Sequence, residues 1–237
     1  MNLPKTLALE MSPDETVEDI PDYYKLLEWT TAETRELTDQ QLDYDDLSPE
    51  KEWMWWSCRR QVSHMAWDAL VFPKKRCGEL LWPGQEPPNI IHWPSHQMGK
   101  RAKFDRVLDE DLFWTLQSLL LKLEVGIGWL DRVVTENDGK DLRLMIQTVT
   151  ASAFWKYVIS TLPRGARFNE ENKTITYTLE ASLWMVFYEI LSHIRSIQRL
   201  KSDQGLSSVT ELPKVGYLKL PHYWGDTNEN GPSQDRL

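Results

Sequence analysis

The sequence predicts an all-α protein, an up-down four-helix bundle with long connections. Three observations predict it. Apolar residues recur three and four apart over several long stretches, the spacing of one face of a helix. Proline and glycine fall at the ends of those stretches, as Pro21, Pro73, Pro163, Gly165 and Gly205 do. Strand and helix signals do not alternate in the βαβ manner, and no glycine-rich phosphate loop is present. The third observation disfavours Rossmann-type and P-loop enzymes.

In chain order, residues 1–20 read as an acidic lead-in. A first helix starts near Pro21-Asp22, because proline is tolerated where no donor is needed, and it runs through YYKLLEWTTAETREL. Thr38-Asp39-Gln40-Gln41 caps a short extra turn, with Thr or Asp as the cap. Ser48-Pro49-Glu50-Lys51 reads as the start of a second helix that ends at Pro73. Cys58, Val62, Met65 and Ala69 form its apolar stripe. Residues 73–100 carry five prolines (73, 83, 87, 88 and 94) and form a long irregular excursion, pinned by Trp82, Ile90, Ile91 and Trp93.

Residues 103–135 hold the clearest helical repeat, through Val107, Leu108, Leu112, Leu116, Leu119, Leu120, Leu123 and Ile127. Asn137-Asp138-Gly139 breaks it. A further helix is expected from about Leu142 to Leu162, stopped by Pro163-Gly165. Residues 166–178 are a hairpin or an irregular loop. The last long helix is TLEASLWMVFYEILSHIRSIQRLKSDQG, with Gly205 at its C-terminal cap. The helical domain therefore spans 21–206, followed by a packed extension over 207–224 and a disordered polar tail over 225–237.

Composition narrows the function classes. The 237 residues carry a net charge of -9, with 27 Lys+Arg against 36 Asp+Glu, so general nucleic-acid binding is disfavoured. Arg59-Arg60, Lys74-Lys75-Arg76 and Lys100-Arg101 are too short and scattered to make a basic patch. No signal-like apolar segment opens the chain and no membrane span is expected, so the expected location is cytoplasmic. Two cysteines, Cys58 and Cys77, read as free thiols in that compartment. Cys58, on an apolar stripe, reads as buried and inert. The twelve tryptophans mostly fill space between helices.

The candidate chemistry rests on few groups. Of the five histidines, His64 and His193 lie inside long helices, each at the edge of an apolar stripe. Glu189 precedes His193 by four residues, which puts both side chains on one helix face. With His64 from a second helix they make a His-His-Glu set that leaves a coordination position open for water. The same Glu-to-His spacing also serves as plain surface stabilisation. Asp68, four residues after His64, is a further carboxylate, read as solvated or ion-paired. His92, His96 and His222 read as loop surface. No nucleophile elbow with a Ser/His/Asp arrangement is visible.

Two segments resemble the DinB/YfiT-like superfamily of metal-binding bundles. WSCRRQVSHMAWDA (56–69) is similar to that family's second-helix pattern, with Trp56, Ser57 and His64 in the matching places. YEILSHIRSIQRLKSDQG (188–205) resembles its fourth-helix segment, matched by His193 and Gly205. LTDQQLDYDDLSPEKEWMWWS resembles the connection between its first two helices. By helix order the resemblance covers roughly residues 20–206. It departs from the family at two points. Glu189 stands where a second histidine is usual, and His193-Ile194-Arg195-Ser196 replaces the usual His-Arg-Gly-Gln run. The resemblance implies a divalent metal (zinc, nickel, manganese or iron) at His64, Glu189 and His193. It also implies a homodimer, and metal-assisted chemistry on a small molecule, either thiol-dependent transfer or hydrolysis. Either Glu189 serves as an oxygen ligand or the site binds nothing. In the latter case the bundle serves ligand binding or protein association.

Overall fold

A computed structural model describes residues 22–46, 55–72, 81, 106–137, 142–143, 146–151 and 155–220. Within them the helices are α1 (Tyr24–Thr34), α2 (Asp39–Leu42), α3 (Cys58–Phe72), α4 (Leu116–Thr135), α5 (Trp155–Ser160) and α6 (Leu179–Asp203). Three strands, β1 (Ile146–Thr150), β2 (Ala166–Asn169) and β3 (Thr174–Thr178), form an antiparallel sheet in the order β1-β3-β2. A 3-10 turn covers Gly216–Lys219. The chain is thus predominantly helical, and the sheet corrects the all-α expectation.

Local chemistry explains most boundaries. Thr38 caps α2 with a full capping box: its hydroxyl accepts from the Gln41 N–H, while Gln41 Oε1 accepts from the Thr38 N–H at 2.9 Å. The helix carrying the Cys58 stripe begins at Cys58, with Trp55 and Trp56 outside it, later than the sequence reading placed it. Likewise α4 begins at Leu116 and not near 103. Thr115 caps it, and Arg106 has a φ of 61°, which no continuing helix accommodates. Val107 and Leu108 sit at helical spacing yet are buried from an irregular segment.

Across the expected helix from Leu142 to Leu162, the described residues are helical only at 142–143 and in the short α5, and 146–150 form strand β1. Thr148, Val149 and Thr150 are β-branched and favour the extended chain. They pair with Thr176, Ile175 and Thr174 of β3. Residues 166–178 form the hairpin β2–β3.

Strand β3 runs into α6 without a loop. Thr178 pairs with Ile146, donates its N–H to the Gly165 carbonyl at 2.8 Å, and accepts from the Ala181 N–H at 3.1 Å. At its other end α6 closes with a Schellman pair, Leu206 N–H to Lys201 O and Gly205 N–H to Ser202 O, with Gly205 at φ 75°.

Helices α1 and α3 each pack against α4 and α6, so the four long helices share one core. At the α3–α4 crossing a Cβ on Gly126 would lie 2.6 Å from the Ala69 Cβ, so glycine there sets how closely the two backbones approach. Helix α6 is the central element. From Leu179 to Lys201 only Glu189, Arg195 and Arg199 escape full burial.

The segment after α6 is tied back by Glu33, which accepts from the N–H groups of Val209 and Thr210 at 3.1 and 2.9 Å. Leu212, Tyr217 and Leu218 are buried there. Among the described residues no helix is long and apolar enough to cross a membrane. The acidic lead-in, the expected helix starts at Pro21 and Ser48–Lys51, and the 225–237 tail lie outside the described residues. So do His92, His96, His222, Cys77, Tyr223 and Trp224, and all of the 73–100 excursion except Leu81. Leu81 is half-buried against the core.

Candidate metal centre

Helix α3 brings His64 to the α3–α6 contact, and α6 brings Glu189 and His193 to the same place from one face, one turn apart. His193 Nε2 lies 3.4 Å from Glu189 Oε1, and His64 Nε2 lies 4.0 Å from the same oxygen. One ligand atom from each of the three residues lies within 4.8 Å of the other two. Ligands about 2.1 Å from a tetrahedral cation stand about 3.4 Å apart, so a small contraction closes this triangle around one ion.

The hydrogen bonds behind the triangle decide what it offers. His64 Nδ1 lies 2.7 Å from the Arg106 carbonyl, which can only accept. The proton is therefore on Nδ1, and Nε2 presents a lone pair. The positive φ of Arg106 turns that carbonyl, and the Leu108 N–H, donated to Ser63 Oγ at 2.9 Å, anchors the segment to α3. His193 Nδ1 lies 2.5 Å from Gln61 Oε1. The Gln61 amide is oriented in turn by its NH2 group, which donates to the Trp56 carbonyl at 3.2 Å. His193 therefore also donates from Nδ1, and in the neutral Nδ1–H tautomer it faces Glu189 with the Nε2 lone pair. Its Nε2 is buried and has no hydrogen-bond partner among the described residues.

With both imidazoles as neutral Nδ1–H tautomers three acceptors converge, whereas a proton on either Nε2 makes that nitrogen a donor towards Glu189. The all-acceptor arrangement is electrostatically unfavourable unless a proton or a cation joins it. Burial pushes the His64 imidazole down to about 4, helped by the positive charges of His193 and Arg106 and opposed by Glu189. Burial alone would raise the Glu189 carboxyl, but hydrogen bonding and charge from the His193 and His64 imidazoles in their protonated form hold it below the ordinary carboxylate range. At neutral pH His64 is uncharged and Glu189 is ionised, the states that ligands need. A buried group of His64, Glu189 and His193 could therefore hold a metal ion.

Aromatic rings enclose the histidines. The Trp56 ring meets His64 edge-on at 4.6 Å and stacks on His193 at 5.9 Å, and Trp67 stacks on His64 at 5.9 Å. Both imidazoles are nearly inaccessible, whereas the Glu189 side chain keeps 20% of its surface, so the centre opens to solvent on the carboxylate side. Within 4.0 Å the ionisable partners of Glu189 among the described residues are the two histidines, not an arginine or lysine.

Other sequence candidates fall elsewhere. Asp68 is half-buried and is not among the converging groups. Burial pushes the Cys58 thiol up to about 12, which makes it a poor nucleophile. Arg59 and Arg60 are buried against acids: Arg59 bonds Asp43 and Asp39 at 2.6 Å each, and Arg60 bonds Asp45 at 3.0 Å and Glu110 at 3.2 Å.

Gln61 and Arg106 escaped the sequence reading. Gln61 lies three residues before His64 on the same helix face, which is the signal that could have found it. Nothing local marks Arg106. The chain matches no protein-family model, no curated protein and no solved structure.

Proposed function

We propose that this chain is a divalent-metal-dependent enzyme of the DinB/YfiT-like type that acts on a small molecule. The observation that carries the reading is the convergence of His64 Nε2, His193 Nε2 and the Glu189 carboxylate, with both Nδ1–H groups already committed to acceptors. Metal-ligating histidines commonly donate the other ring nitrogen to such an oxygen. Two imidazoles and a carboxylate suit zinc, nickel or manganese and leave a position for water or substrate. The four long helices fit an up-down bundle, to which the sheet is an addition, and a homodimer is the expected assembly.

His64, Glu189 and His193 would hold the cation, and the bound ion would activate a thiol or water, or polarise a carbonyl. Trp56 and Trp67 keep water from the imidazoles, and the exposed flank of Glu189 leaves the approach for substrate. Thiol-dependent transfer and hydrolysis are the two reactions proposed.

A second reading keeps the bundle but not the reaction. Glu189 stands where the resembling family has a histidine, which favours a degenerate site serving ligand binding or protein association.

Elemental analysis of untagged, chelator-free protein tests the first reading. About one divalent metal per chain, lost in both His64→Ala and His193→Ala, supports it and justifies screening both reactions. A parent that takes up no zinc, nickel or manganese overturns it and leaves the second.

A further inference from the structure

The metal reading names three ligands, but the chain invests as much structure in a residue that is not one of them. Gln61 is buried on α3 and spans two elements. Its amide oxygen lies 2.5 Å from His193 Nδ1 on α6, and its amide nitrogen donates to the carbonyl of Trp56 at 3.2 Å. A lone glutamine could present either end to a histidine. Here the Trp56 carbonyl accepts only, so it takes the NH2 group and turns the oxygen towards the imidazole.

Opposite that oxygen, on the far side of the ring, Glu189 Oε1 sits 3.4 Å from Nε2 and competes for the same proton. If the proton moved to Nε2, His193 could no longer bind a cation there. Two acceptors thus pull on one imidazole from opposite edges, and the shorter, better buried contact belongs to Gln61.

We infer that Gln61 is a positioning residue of the centre: it holds the His193 proton on Nδ1 and so keeps Nε2 available to a cation. This rests on the metal reading for its consequence, though not for its geometry. Trp56 is the anchor, since its carbonyl sets the amide and its ring stacks on the His193 face at 5.9 Å. The relay runs from the Trp56 carbonyl through Gln61 to His193.

The two bonds of Gln61 can be separated. Gln61→Met removes both. Gln61→Glu keeps an acceptor for Nδ1–H and loses the donor to Trp56. Cobalt(II) and zinc titrations of the wild type and both variants, with thermal melts of the metal-free proteins, measure binding apart from folding. Loss of an outer-shell partner weakens metal binding by about 10–100-fold. That loss is expected for Gln61→Met, with recovery to near wild type for Gln61→Glu. Equal losses in both variants would overturn the assignment and make Gln61 a tether for Trp56. No loss in Gln61→Met would overturn it as well.

Nitrogen-15 histidine spectra of metal-free wild type at mildly alkaline pH supply a readout that does not need the metal. Nδ1–H on His193 supports the inference, and Nε2–H overturns it. A wild type that shows Nδ1–H but binds neither ion removes the metal reading and leaves the Gln61 assignment standing. One that binds both ions while Gln61→Met binds them equally well does the reverse.

Discussion

Helix α6 takes part in two buried carboxylate centres built on opposite plans. Near its C-terminal end Lys201 and Gln198 reach Glu33 of α1 at 2.5 and 2.9 Å. Thr210 adds its hydroxyl at 2.6 Å and its N–H at 2.9 Å. The Glu33 carboxylate is fully buried, and donors saturate it. Further up the helix, Glu189 faces the Nε2 atoms of two imidazoles and, among the described residues, no lysine or arginine within 4.0 Å. The first centre is complete as it stands and links α1, α6 and the segment after α6. The second has no lysine or arginine partner within 4.0 Å among the described residues. Saturation marks a structural carboxylate, whereas the group around Glu189 is one that could take up a cation.

The largest test of this contrast is stability. Glu33→Ala leaves Lys201 buried without its counter-charge and is expected to cost about 3–5 kcal/mol by urea unfolding. Glu189→Ala in metal-free protein removes a half-buried carboxylate with no lysine or arginine partner among the described residues and is expected to cost less, about 1 kcal/mol. Equal costs would erase the distinction between the centres.

Zinc should then separate them from the other side. At a free concentration about a hundredfold above its dissociation constant, zinc is expected to stabilise wild type by about 2.7 kcal/mol. The gain should vanish in Glu189→Ala and survive in any surface variant. A thermal scan with and without zinc reads it. An undiminished zinc shift in Glu189→Ala would place the ion elsewhere.

Acid gives a smaller effect with a clear sign. The Glu33 carboxyl, which burial alone would raise, is held below its usual 4.5 by hydrogen bonds from Lys201, Thr210 and Gln198. The unfolded chain therefore takes up that proton first, and the stabilisation is complete above pH 4.5 and lost as pH falls below it. His64 titrates at about 4 when folded against 6.5 when free, so its share of the loss begins at higher pH, between 6.5 and 4. In metal-free protein His64→Ala should flatten the upper part of the urea-midpoint curve and Glu33→Gln the lower part. A curve unchanged by either variant would refute the assignment of those windows.

The smallest effect is the control. Lys25 and Glu28 form an ion pair at 2.7 Å on the open face of α1. Lys25→Ala should leave the unfolding midpoint unchanged, because water already serves both groups. A measurable loss there would mean that saturation matters outside the core too.

What the sequence disclosed depended on how local the signal was. Thr38 and Gly205 work through neighbours a few residues away, and both caps were legible. The leucine repeat located α4 but overran its start, because Val107, Leu108 and Leu112 share its spacing without its hydrogen bonds. Strand β1 was hidden for a different reason. Its apolar content passed for helix, and the partner that makes it a strand, β3, lies about thirty residues later in the register Ile146–Thr178. At the site, Glu189 and His193 were legible as a pair on one turn, and His64 from its place at the edge of an apolar stripe and from the resembling segment. The oxygens that fix their tautomers were not. One is a backbone carbonyl turned by the φ of Arg106, and the other is a glutamine, a residue type with no ligand signature.

The seamless passage from β3 into α6 has a mechanical meaning. Thr178 is at once the last strand residue and the helix cap, so α6 has no swivel at its origin. Each residue of slip in a helix turns its side chains by about 100°. A slip of one position at this joint would swing Glu189 and His193 a quarter-turn or more away from His64. The sheet therefore acts as an angular stop: its strand register fixes the compass bearing at which α6 carries Glu189 and His193 towards α3.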